Sequence, residues 1–114
     1  GLVKTNEELQ LTISKGVGTL NYMSPEMINM SDYDYKTDVY SLGILLHFMF
    51  VGVFPNQNLK DKLNYKKIPL PKPSASISKC CIDLIEKCTD PYPENRPNYI
   101  EIINFMKKNS FLDE

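Results

Sequence analysis

The sequence has a single histidine, His47, and no Cys-x-x-Cys pair, which argues against a zinc site. Its three cysteines are an odd count, and Cys80 and Cys81 are adjacent, a spacing that rarely bridges. Reduced cysteines behaving as small core hydrophobes are therefore expected, which fits an intracellular, cytoplasmic protein. There is no charge surplus: 13 basic against 14 acidic residues give a net charge of -1. That excludes the electrostatic footprint of a nucleic-acid or anionic-membrane binder. The opening "GLVKTNEELQ" lacks the apolar stretch of a signal peptide. It also begins with Gly rather than Met, which suggests that further sequence precedes it. Glycine is sparse, five against eight prolines, so fixed turns are expected, most of them in the second half.

The most informative absence is local. Between Asp38 and Lys60 there is no Asp, Glu, Lys or Arg. The 114 residues amount to about one domain, so a long apolar segment has either a protein core or lipid to enter. A membrane span needs about 18–20 consecutive apolar residues. Here Ser41, Gly43 and His47 interrupt the run, and Gly52 and Pro55 end it. A central buried helix over residues 36–53 is predicted, with Asp38 or Thr37 as its N-terminal cap. Val39, Leu42, Gly43, Leu46, Met49 and Phe50 form one face, and Ile44, Leu45, Phe48 and Val51 the other. A helix apolar all round must be surrounded.

The remaining elements are mostly helical. "LQLTI" alternates like a short strand or extended loop. Ser24, Pro25 and Glu26 suit the start of a short helix as cap, first residue and favourable acid. Residues 59–64 have room for a short polar helix, and "IPLPKP" reads as an extended surface connector. Cys81, Leu84, Ile85 and Cys88 repeat at helical spacing after a Ser76 or Ser78 start. Asn98 and Glu101 make a capping-box variant before a last helix carrying Ile102, Ile103, Phe105 and Met106.

Taken in order, "GTLNYMSPE", "DVYSLGILL" and "DPYPENRP" resemble the C-terminal lobe of a eukaryotic protein kinase. The resemblance covers residues 1 to about 106, and "GLVK" resembles the continuation of a DFG motif, with Gly1 as its glycine. It implies a mainly α fold: the large helical C-terminal lobe of the kinase fold, incomplete. The expected parts are the activation segment and following short helix (1–30), the central helix (36–53) and the remaining lobe helices (57–114). The branch it resembles most is the tyrosine-kinase-like or stress-kinase one.

The resemblance also implies roles. Asp38 anchors the catalytic loop by accepting backbone N–H groups, where a bare cap would contribute about 1 kcal/mol. Glu26 pairs with Arg96 and staples the segment after the activation loop to the late helices; a charge-reversing exchange of the two is expected to restore the single variants. Gly18, Thr19 and Tyr22 shape the substrate pocket, and the "GT" pattern implies transfer to serine or threonine. Ser14, then Thr12, are candidate phosphorylation sites, with Thr5 a third hydroxyl in the segment. Tyr40 stands where many kinases have tryptophan, and Ser24 where alanine is usual.

In the family order the Gly-rich loop, the ATP lysine, the catalytic Asp and Asn and the DFG aspartate all precede Gly1. The chain is thus expected to hold no catalytic or metal-binding residue and no cofactor, with ATP and Mg bound by the full-length protein. Its partners would be a protein substrate and the missing N-terminal lobe and catalytic loop, with neither nucleic acid nor membrane. Leaving about 300 Å² of the central helix bare forgoes roughly 7 kcal/mol of burial, so the isolated chain is expected to aggregate or order poorly. The alternatives are a non-catalytic, pseudokinase-like interaction module and a membrane-associated helical protein.

Overall fold

The computed structural model describes residues 17–31 and 34–109. Among them the regular structure is helical, with no strand. Helix α1 spans Val17–Tyr22 and α2 spans Pro25–Ile28. The Ser24 hydroxyl caps α2 by accepting from the Met27 N–H at 3.3 Å, Pro25 fills the first position, and Glu26 lies in the first turn. "LQLTI" lies outside the described residues.

Helix α3, Tyr35–Val51, is the predicted central helix, but its cap differs. Asp34 Oδ1 accepts from the Lys36 N–H at 2.8 Å, while Asp38 sits inside the first turn and Thr37 is buried. At the far end Gly52 takes the left-handed conformation, φ 90°, and its N–H reaches the Phe48 carbonyl at 2.8 Å. His47 Nδ1 lies 2.7 Å from the Val53 carbonyl. A carbonyl only accepts, so Nδ1 carries the proton, and the buried ring holds the chain as it leaves the helix.

The helix is apolar all round and buried on most of its circumference. Val39, Tyr40, Gly43, Ile44, Leu46 and His47 face protein, while Leu45, Phe48 and Met49 are exposed, Met49 at 64%. Met49 therefore leaves the face that its spacing suggested. The open flank lies on one side of residues 39–51 and matches the bare apolar surface expected there.

The short helix α4, Leu59–Leu63, is capped by Asn58. An extended stretch then lays Ile68 into the core. Helix α5, Lys79–Cys88, starts at Ser78 and buries Ile82, Leu84, Ile85 and Cys88; Cys81 is half-buried, and Ile82 takes its expected place. All three cysteines are free thiols. Burial pushes the Cys88 thiol up to about 12, against a weaker pull from the Arg96 and Lys87 charges. A 3₁₀ turn, Pro93–Asn95, leads to helix α6, Tyr99–Lys108, whose Ile102 is buried and whose Ile103 is exposed.

The main core joins α3, α5 and α6 through Val39, Tyr40, Ile44, Leu84, Ile85, Cys88 and Ile102. A smaller one joins α2 and α4 through Met23 and Ile28, with Leu20, Met27 and Leu59 against them. No helix among the described residues is long and apolar enough to cross a membrane. The capping box at α6 is complete: Glu101 N–H donates to Asn98 Oδ1 at 2.8 Å, and Asn98 N–H to Glu101 Oε1 at 3.0 Å. Asn98→Ala is expected to lose about 1 kcal/mol, read as a lower denaturant midpoint with unchanged slope.

Candidate functional site

The polar centre of the structure is built on Arg96, which is 2% exposed. It follows the 3₁₀ turn in an extended conformation, φ -78° and ψ 146°, which the following proline favours. A guanidinium has five N–H groups, and each here has an acceptor. Nη1 donates to Glu26 Oε2 at 2.6 Å and to the Lys36 carbonyl at 2.8 Å. Nη2 donates to Glu26 Oε1 at 2.8 Å and to the Pro91 carbonyl at 3.2 Å. Nε donates to the Asp90 carbonyl at 2.7 Å. The pair is a bidentate fork, the geometry in which arginine and carboxylate bind most strongly.

Glu26 is equally enclosed, at 3% exposure, and also accepts from the Thr37 hydroxyl at 2.9 Å. Burial alone would raise its pKa. The Arg96 hydrogen bonds, a backbone N–H, the Arg96 charge and Thr37 outweigh it and hold the carboxyl below its ordinary 4.5. The Tyr40 ring packs beneath Arg96, 5.0 Å from its guanidinium carbon, and burial pushes the phenol well above its usual range. Lys36 closes the circuit by donating its ammonium to the Arg96 carbonyl. Residues from α2, the start of α3 and the segment before α6 thus share one dry network.

The network borders the segment proposed from sequence as a pocket. Gly18 and Thr19 lie in α1. Tyr22 is half-buried, stacks edge-on against Phe54 at 5.2 Å, and its carbonyl accepts from the Ser41 hydroxyl at 2.8 Å. Asp38 is exposed in the first turn of α3 and takes no part in the Glu26–Arg96 network. Ser14, Thr12 and Thr5 lie outside the described residues. Among the described residues no three His, Cys, Asp or Glu side chains gather as metal ligands.

Two participants escaped the sequence reading. Thr37, a candidate cap, spends its hydroxyl on Glu26 instead. Lys62, in a polar run, is buried, with its ammonium among the carbonyls of Leu20, Asn21 and Met23 at 2.7, 2.9 and 2.9 Å. Burial lowers Lys62 to about 8, while the three carbonyl acceptors favour its charged form. No composition or spacing signal separates it from the neighbouring solvated lysines.

Comparison with known proteins gives this geometry a family. The protein kinase domain model matches residues 1–107. The chain is 34% identical over 112 residues to the seven transmembrane domain-containing tyrosine-protein kinase 1 of Dictyostelium discoideum, covering 91% of this chain and 16% of that protein. It is 37% identical over 90 residues to an Aurora kinase of Debaryomyces hansenii, covering 76% and 22%. It is 34% identical over 102 residues to the serine/threonine-protein kinase pakC of Dictyostelium discoideum, covering 85% and 20%. The chain therefore spans less than a quarter of the length of each of these relatives. By a match over nearly its whole length, the chain belongs to the protein kinase domain family.

Proposed function

We propose that this chain is the substrate-presenting part of the C-terminal lobe of a serine/threonine-type protein kinase, which transfers the ATP γ-phosphate to protein hydroxyls. The observation that carries the reading is the buried Glu26–Arg96 fork, inside a segment matched by the protein kinase domain model. The fork ties the backbone just after Gly18, Thr19 and Tyr22 to the late helices. A peptide would meet an edge held at its base, and positioning is most of what phosphoryl transfer asks of the protein.

In this reading Asp38 offers its carboxylate to backbone N–H groups of the catalytic loop, and its exposure leaves it accessible to them. ATP and Mg are bound by other parts of the full-length kinase, and the cytoplasm is its setting. Phosphate on Ser14 or Thr12 would order the activation segment. The 114 residues alone are expected to transfer no phosphate.

The test is a transfer assay on the full-length protein with ATP, Mg and a mixed protein acceptor, followed by phosphoamino-acid analysis. Phosphoserine and phosphothreonine are expected in the acceptor, and peptide mapping of the active enzyme is expected to find Ser14 or Thr12 modified. Phosphotyrosine alone would refute the serine/threonine type. A full-length protein that transfers nothing would favour the second reading, a non-catalytic interaction module docking through Leu45, Phe48 and Met49, which the structure leaves exposed.

A further inference from the structure

Lys62 is a buried cation outside the Glu26–Arg96 network, and among the described residues no carboxylate forms a salt bridge with it. A lysine on a short polar helix ordinarily extends its ammonium to water. This one turns inward. An ammonium has three donors, and Leu20, Asn21 and Met23 supply three carbonyl acceptors at 2.7–2.9 Å. The Tyr40 ring closes the cage, 5.5 Å from Nζ.

Leu20 and Asn21 belong to the last turn of α1, whose carbonyls carry its partial negative charge; the Leu20 carbonyl also accepts from the Met23 N–H at 3.3 Å. Met23 lies between that helix and the Ser24 cap of α2. One side chain of α4 therefore fastens the backbone that links Gly18 and Thr19 to Glu26. Ser41 holds the same stretch at the Tyr22 carbonyl, and Arg96 holds its far end. The rest of α4 offers little grip: it has five residues, and Leu59 is the one that joins the Met23–Ile28 cluster.

We propose that Lys62 is a positioning residue for the acceptor pocket: its ammonium clamps the carbonyls of residues 20, 21 and 23, so α4 sets the form in which the pocket edge meets a peptide. The pocket assignment rests on the function proposed above; the clamp itself rests on geometry alone.

The test uses Lys62→Met in the full-length protein, because methionine keeps the apolar stem and removes all three donors. Peptide KM is expected to rise on the order of tenfold, the pattern of lost uniform binding in which KM moves and kcat does not. The kcat and the ATP KM should hold within about twofold, and amide hydrogen exchange over residues 20–24 should speed up. Lys62→Arg, which keeps charge and donors, is expected to recover part of the peptide KM. If the methionine variant does not fold, Lys62→Gln gives the same readouts at smaller amplitude. Unchanged exchange and unchanged peptide KM would overturn the proposal. So would a variant in which kcat, peptide KM and ATP KM all deteriorate together, since that marks a lysine needed only for folding. A wild-type protein without transfer activity would instead refute the function on which the pocket rests. In that case faster exchange in the variant would still support the clamp, and unchanged exchange would overturn it.

Discussion

Arg96→Ala is expected to cost about 3–5 kcal/mol of folding stability, comparable to the margin on which many domains fold. The estimate follows from what the substitution strands. Glu26 would keep its buried carboxylate and the Thr37 hydroxyl but lose both arms of the fork. The carbonyls of Asp90, Lys36 and Pro91 would lose a donor as well. Glu26→Ala is expected to fall at the lower end of that range, because Arg96 retains three carbonyl partners. The double variant should cost less than the sum of the singles, with a coupling of about 0.5–3 kcal/mol in a denaturation cycle. Strict additivity would show that the fork contributes no coupling.

The structure changes one expectation about this pair. A charge-reversing exchange is no longer expected to restore the singles. A carboxylate at position 96 would face the carbonyl oxygens of Asp90, Lys36 and Pro91, which only a donor satisfies. Lysine is a poor substitute for the same reason, having three donors where five are in use. The dependence on pH has a definite sign. Folding lowers the Glu26 pKa below 4.5, so its contribution is fully present above that value and is lost as pH falls through the lower, folded-state pKa. The stability gap between wild type and Glu26→Gln should therefore narrow below about pH 4.5 and stay constant at neutral pH. A gap that widened on acidification would reverse the assignment.

How much of this could be read from sequence depended on whether the cause was local. Ser24-Pro25-Glu26 and the Asn98–Glu101 box announce helix starts within four residues, and both starts stand where those patterns put them. The cap of α3 was harder, since "SDYDYKTD" offers several acids to one N-terminus. The backbone turns at Asp34, and nothing in the local pattern favours it over Asp38. Ile102 and Ile103 are chemically alike, but Ile102 shares a helical face with Phe105 and Met106, which pack against the same core, while Ile103 is exposed. Lys62 was invisible because its partners are carbonyls about forty residues upstream. A backbone oxygen leaves no mark on composition. A bare apolar flank on α3, in contrast, was expected from a helix apolar on every side, but the spacing placed Met49 on the opposite face from Leu45 and Phe48, with which it is exposed.

Gly43→Val is expected to destabilise the protein by roughly 3 kcal/mol, and Gly43→Ala by about 1–2 kcal/mol. At Gly43, α3 lies directly against the C-terminal end of α5. A Cβ added there would lie 2.5 Å from Thr89 Cγ2, 2.8 Å from Cys88 Cβ and 3.3 Å from the Cys88 carbonyl carbon. Thr89 is the C-terminal cap of α5, with its hydroxyl tied to the Ile85 carbonyl at 2.7 Å, so its methyl group has little room to turn away. Cys88 Cβ is attached directly to the backbone. The two helices must therefore separate, opening contacts around Val39, Ile44, Ile85 and Cys88, all fully buried. Against this, replacing glycine inside a helix gains about 0.5–1 kcal/mol, which offsets only part of the overpacking cost of about 1–3 kcal/mol for alanine. Thr89→Ser supplies the check, since it keeps the hydroxyl bond and removes the methyl group that Cβ would strike. Gly43→Ala combined with Thr89→Ser should recover part of the loss while the contact with Cys88 Cβ remains. A Gly43→Ala protein at least as stable as wild type in denaturant would show that α3 and α5 slide apart without cost, and that glycine is not required at their contact.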